Sequence, residues 1–170
     1  MRKWLALYNL LFITLVVYAQ ETKIDSLKKA LSVSTDTARI NILNDLGHQL
    51  NNRGELDSAI LYLREAKKLS EKLHYKKGTA TVFNHLAIGF INRGDYEKGI
   101  QLLDSALWIN KALGDKNRMA KNYNNMGVAY LNMGKNESAL DAYAKAAMIY
   151  EEAYDEKEIA KNRMNRCSVY

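Results

Sequence analysis

Gly54, Gly94 and Gly134 stand at intervals of 40 residues, and the same pattern recurs around each of them. Asn52, Asn92 and Asn132 precede them, and Ala66, Ala106 and Ala146 share one later position. A fixed period of this length confines the chain to a stacked architecture, in which each unit is one small element that buries its apolar face against its neighbours. Three units align without gaps, at 37–76, 77–116 and 117–156, and a fourth, a partial repeat or cap helix, covers 157–170.

Within each unit the apolar residues follow the helical period, as Leu43, Leu46 and Leu50 do in the first. A glycine then marks a turn, where a left-handed residue ends one helix and admits the next. Glu55, Asp57, Asp95, Glu97 and Glu137 fall at the start of the second helices, where negative charge suits the helix dipole. Ala59, Gly99 and Ala139 are small enough to let the paired helices close in. No proline interrupts the pattern, and 48% of the residues are hydrophobic. The expected class is all-α.

The third unit carries Tyr123, Met126-Gly127, Tyr130, Gly134, Ala139, Tyr143 and Ala146 in register. The second carries Phe83, Leu86-Ala87, Phe90, Gly94, Gly99, Leu103 and Ala106, and the first Leu43, Leu46-Gly47, Leu50, Gly54, Ala59, Leu63 and Ala66. These units resemble the tetratricopeptide repeat (TPR) in its 40-residue form. The resemblance implies a right-handed α-solenoid of helix-turn-helix repeats with a concave face lined by the first helices. It departs from the family in lacking a proline at the end of each unit.

Residues 20–36 precede the array. Ile24, Leu27 and Leu31 share one helical face there, as a helix capping the first unit would. Ser34, Thr35 and Asp36 offer N-cap oxygens to the helix that follows. Residues 1–19 read as a signal peptide: Arg2 and Lys3 lead an apolar run, and Val17 and Ala19 place small residues before Gln20. The expectation is an exported chain, periplasmic or secreted, with no stable membrane insertion after cleavage. The uncleaved alternative is a membrane anchor. Cleavage would remove Arg2 and Lys3 from a formal net charge of +6. The remaining charge is spread along the chain, not gathered in the basic stripe that a nucleic-acid interface needs.

Enzyme motifs are missing. There is no phosphate-binding glycine loop, no G-x-S-x-G and no H-E-x-x-H. Asp45 and His48 share a helix face, but without a third ligand no metal site is expected, and no cofactor. His74 reads as a helix-end residue, Trp108 and Tyr143 as core. Cys167, the only cysteine, falls at the position of Gly47, Ala87 and Gly127 and reads as a buried small side chain.

The TPR resemblance places a partner-binding surface on the concave face. It implies Asn44, Asn84 and Asn124 there, with Asp45, His85 and Asn125 beside them and His48 further along. Asparagine carries both donor and acceptor, so a ladder of them pairs with the main chain of an extended peptide, or else satisfies neighbouring helix ends. Lys121 and Lys161 lie one turn earlier, where they would meet an acidic group. The expected function is a non-catalytic module that binds a peptide or protein segment. A second reading is the input part of a signalling protein. The Lys23–Lys28 and Asp36–Asn41 stretches resemble the exported TPR regions of bacterial sensor histidine kinases and regulators. The open C-terminal end of the array, where Arg163 and Arg166 replace Tyr123 and Met126, offers a surface for self-association.

Overall fold

The computed structural model describes residues 23–169, so the stretch 1–19, expected to be a signal peptide, lies outside the described residues. A helical stretch at 23–33 (α1) leads into α2 (Asp36–Asn52), α3 (Leu56–Lys72), α4 (Lys76–Asn92), α5 (Tyr96–Ala112), α6 (Lys116–Asn132), α7 (Asn136–Glu152) and α8 (Glu156–Cys167). No strand occurs among the described residues.

The 40-residue period has a local cause. Each helix from α2 to α7 is 17 residues long. The connections between them are all of one kind. After α4, the amide of Gly94 donates to the Ile91 carbonyl at 3.0 Å and that of Asp95 to the Phe90 carbonyl at 2.9 Å. This is the paired bond of a Schellman motif, which satisfies carbonyls left open at the helix end. The same two bonds close α2, α3, α5, α6 and α7. The residue after the left-handed one, such as Asp95, is at once the N-cap of the next helix. Three connecting residues thus suffice, and a helix with its connection makes half a unit.

The central residue of the motif needs positive φ, and Gly94 supplies it at +89°. His74 and Tyr154 hold the same place with φ of 51°. Left-handed geometry costs a non-glycine residue roughly 1–2 kcal/mol. His74 is therefore the turn residue just beyond the end of α3. Asn52, Asn92 and Asn132 are exposed last residues of their helices, and the glycine geometry, not their side chains, ends the helix. Thr35 is the N-cap of α2, yet no side chain there bonds the first turn. The Ser34 hydroxyl instead donates to the Leu31 carbonyl at 3.1 Å, closing the preceding helix.

Each helix packs on the next, and α2 on α4 and α4 on α6 besides. The result is an α-solenoid with a core that runs along its axis. Ile40, Leu43, Ile60, Leu63, Val82 and Phe90 join α2, α3 and α4. Leu103, Met126 and Ala142 carry the core into α5, α6 and α7. Ile24 is buried against Leu46, Leu50 and Ala59, with Leu27 and Leu31 beside it, so α1 covers the start of the array. Tyr143 is core, 1% exposed. Trp108 is not: it is 75% exposed on the outer face of α5, because a second helix buries the side facing its pair and leaves the convex side bare. Cys167 is exposed as well. Its equivalents Gly47 and Gly127 lie beneath Leu63 and Tyr143 of a second helix, and among the described residues no such helix follows α8. The face that α8 leaves open carries Arg163 and Arg166, both exposed.

Candidate functional site

The first helices α2, α4, α6 and α8 line up along the concave side. A cleft of about 280 Å³ there is lined by His48, Asn84, His85, Ile88, Lys121, Asn124, Asn125, Tyr150, Glu158 and Lys161. Seven of the nine residues expected on this face meet in it. Asn44 and Asp45 do not: Asn44 is 2% exposed, packed inside the array, and Asp45 is turned to solvent.

The asparagines are arranged differently from an open ladder. The amides of Asn84 and Asn122 meet at 2.9 Å and tie α4 to α6. Asn124 Oδ1 accepts from Asn165 Nδ2 at 3.1 Å and from Asn162 Nδ2 at 3.4 Å, tying α6 to α8. Asn51 Nδ2 donates to the His85 carbonyl at 2.8 Å, tying α2 to α4. Asn162 Nδ2 also donates to the Tyr143 carbonyl at 3.1 Å. Side-chain amides therefore join first helix to first helix, and the groove floor is built from them. Asn125, half-buried and in the register of His85, lines the cleft with no such bond among the described residues. Asn122 and Asn162 have a signal in the sequence: they fill a slot held by Ile42 and Val82 in the earlier units. A buried slot that changes from apolar to amide implies a hydrogen-bond partner.

His48 and His85 stack with ring centroids 4.9 Å apart and planes 15° from parallel, so they too join α2 to α4. The Nδ1 atoms of both rings are buried without a partner among the described residues. Asn52 Nδ2 lies 3.5 Å from His48 Nε2, a contact that asks that ring nitrogen to accept. Burial pushes His85 down to about 4, and the charge of a protonated His48 and that of Arg118 push the same way. Burial also lowers His48, with Asp45 opposing and Lys23 assisting. Tyr150 enters the cleft from α7, and burial holds its hydroxyl well above the usual phenol range.

The cleft's polarity is cationic at two points. Lys121 and Lys161 form no ion pair among the described residues, and Glu158 is the one carboxylate in the lining. A smaller pocket of about 160 Å³ opens from the same groove and shares Asn84, His85 and Lys121 with it, adding Thr81, Asn110 and Arg118. Among the described residues no group of three or more His, Cys, Asp or Glu side chains is placed to hold a metal ion.

A family model of the tetratricopeptide repeat matches residues 78–152, which hold nearly all of the helix pairs α4–α5 and α6–α7. No curated protein matches the sequence. Among solved structures, a Rap protein complexed with Competence and Sporulation Factor aligns with TM-score 0.81 at 18% identity, over 94% of this chain and 46% of that one. The apo form of RapI aligns with TM-score 0.73 at 16% identity, over 89% and 44%. BtubC (BKLC) from P. vanneervenii aligns with TM-score 0.71 at 22% identity, over 86% and 61%. This chain thus spans about half the length of those it resembles. The fold is a right-handed α-solenoid of helix-turn-helix repeats of the tetratricopeptide type.

Proposed function

We propose that this chain is a non-catalytic interaction module that takes a peptide or protein segment into the concave groove. One observation carries the reading: residues from four successive first helices converge on a single polar cleft. The solved Rap protein complexed with Competence and Sporulation Factor supports it by likeness of fold. The open groups are Asn125, Lys121 and Lys161, since Asn84 and Asn124 hold the helices together. Asn125→Ala with Lys161→Ala should lower capture of a random-peptide library about tenfold or more, on the scale of two lost polar anchors. The circular-dichroism spectrum should not change. Capture at full strength by that variant would remove the groove from consideration.

Residues 1–19 are proposed as a cleaved export signal, placing the mature chain in the periplasm or outside the cell. None of the described helices is long and apolar enough to cross a membrane. In a second reading the chain is the input portion of a larger signalling protein, supported by the stretches Lys23–Lys28 and Asp36–Asn41. Intact mass by cell fraction separates these. A mass for Gln20–Tyr170 in an exported fraction is expected from the first. A larger membrane-bound species would favour the second, and a mass retaining residues 1–19 would refute cleavage.

A further inference from the structure

We propose that two copies of this chain pair antiparallel through the convex side of α5 and α7, Trp108 on Trp108 and Met148 on Met148, with Asp104 of each copy opposite Lys111 of the other. Trp108 is 75% exposed and Met148 65%. They hold one position of the repeat, 40 residues apart, so they lie side by side along the solenoid. Single apolar side chains on a surface are ordinary, but an adjoining pair that includes a tryptophan is the kind of anchor that interfaces use.

The charges around the pair indicate a second copy as the occupant. Asp104, Trp108 and Lys111 are spaced by four and three residues, hence on one face of α5. Asp104 and Lys111 are exposed, and neither has an ion-pair partner among the described residues. Burial nevertheless raises the pKa of the Asp104 carboxyl, which is thus partly shielded from water with no cation beside it. A twofold interface must be self-complementary, since the same patch serves on both copies. An acid one turn before the ring and a base one turn after it meet that condition. When two such helices lie antiparallel with Trp108 at the axis, acid meets base at both ends. On α7 the order is reversed, with Lys145 before Met148 and Glu151 after it, both exposed. Lys145 bonds Asp141 within the chain, and Glu151 has no ion-pair partner among the described residues.

The opposite order on the two helices excludes other registers. A slip by one unit lays α5 on α7 of the second copy, which sets Asp104 against Glu151 and Lys111 against Lys145. A parallel pairing sets Asp104 on Asp104. Like charges face each other in both, and such contacts are what discriminates between registers. In α3 the same repeat position is Lys68, which would face its own copy, so the contact stops at α5 and α7. The open face of α8 serves less well for self-association, because Arg163 and Arg166 would meet their own copies there. Two helix faces are at the small end of specific interfaces, so the pair forms and parts with concentration. Both concave grooves remain open in it.

Sedimentation equilibrium of the full chain over a wide concentration range tests this. Wild type should pass from monomer to dimer. Trp108→Ser should weaken the dimer about tenfold or more, as loss of a central tryptophan does. Asp104→Lys and Lys111→Glu should each weaken it about tenfold or more, since twofold symmetry counts every change twice. An equimolar mixture of those two variants should dimerise about as tightly as wild type, because each supplies the charge that the other lacks. All three positions are exposed, and unchanged circular-dichroism spectra would show that the fold is kept. A wild type that stays monomeric overturns the inference. So does association that is equal in every variant, as a contact through residues 1–19 would give. A mixture that associates no better than its two components also overturns it.

Discussion

Acidification from about pH 7.5 to about 4.5 should loosen the array by roughly 2 kcal/mol through the His48–His85 pair, before the bulk of the carboxylates protonate. The sign follows from where the protons bind. An unfolded chain titrates His85 near 6.5, and the folded chain near 4. Between those values the unfolded state holds the extra proton, so stability is complete above about 6.5 and falls as the pH drops toward 4. The full difference corresponds to roughly 3 kcal/mol, and solvent reaching the half-buried ring through the cleft trims it to about 2. Burial is the first cause, and the stack is what makes protonation costly. A proton on His85 would put charge on a ring that is buried and stacked against His48, and only a backbone hydrogen bond at Asn44 opposes that cost.

The measurement is the urea midpoint as a function of pH. Wild type should lose about 1 M across the window, at the slope expected for a chain of this size. His85→Phe keeps a flat ring against His48 but cannot take a proton, so its midpoint should fall much less. Parallel curves for the two proteins would show that the pair does not control acid sensitivity. Because the stack joins α2 to α4 on the groove floor, acid would also part the two first helices that open the cleft.

The stacked pair illustrates what a repeat sequence reveals and what it conceals. The period was legible because the Schellman turn and the N-cap share a residue, which makes every half-unit the same length. The resemblance, not the spacing, pointed to the residues that line the cleft, and Asn44, in the register of Asn84 and Asn124, lies inside the array instead. His48 and His85 are not equivalent positions, and nothing in the spacing indicates that their rings touch across the α2–α4 step. The same limit applies to Asn84, Asn122 and Asn124. Their places on the face follow from register, but whether an amide points into the groove or across to the next helix depends on the residue opposite. Trp108 and Cys167 failed for a related reason. Their positions in the repeat are plain, but exposure depends on which neighbour covers them, and the convex side of α5 and the open face of α8 have none among the described residues.

Gly127→Ala should destabilise the protein by about 2 kcal/mol, whereas Gly47→Ala at the equivalent position should change stability by less than about 1 kcal/mol. Both glycines lie where a first helix crosses its own second helix, and a Cβ at either would come within 2.4 Å of a side chain. Alanine in mid-helix returns up to about 1 kcal/mol relative to glycine, so the sign depends on whether the neighbour can move. At Gly47 the neighbour is Leu63, a branched chain with other rotamers. The middle unit already shows the outcome: Ala87 takes this position, Leu103 is the residue equivalent to Leu63, and both are fully buried. At Gly127 the neighbour is the ring of Tyr143, with Cε1 at 2.4 Å and Cδ1 at 2.5 Å from the added carbon. That ring is 1% exposed and wedged beside Ala139 and Val169, so it cannot swing aside without displacing the end of the array. Gly127→Ala combined with Tyr143→Leu recreates the pairing of Ala87 with Leu103. The double variant should therefore be more stable than the sum of its two single changes by about 1 kcal/mol or more, a coupling that only touching residues show. Thermal melts of the four proteins measure it. Strict additivity would mean that the ring and the glycine are not in contact, and would remove the packing account of why this position is small in every unit.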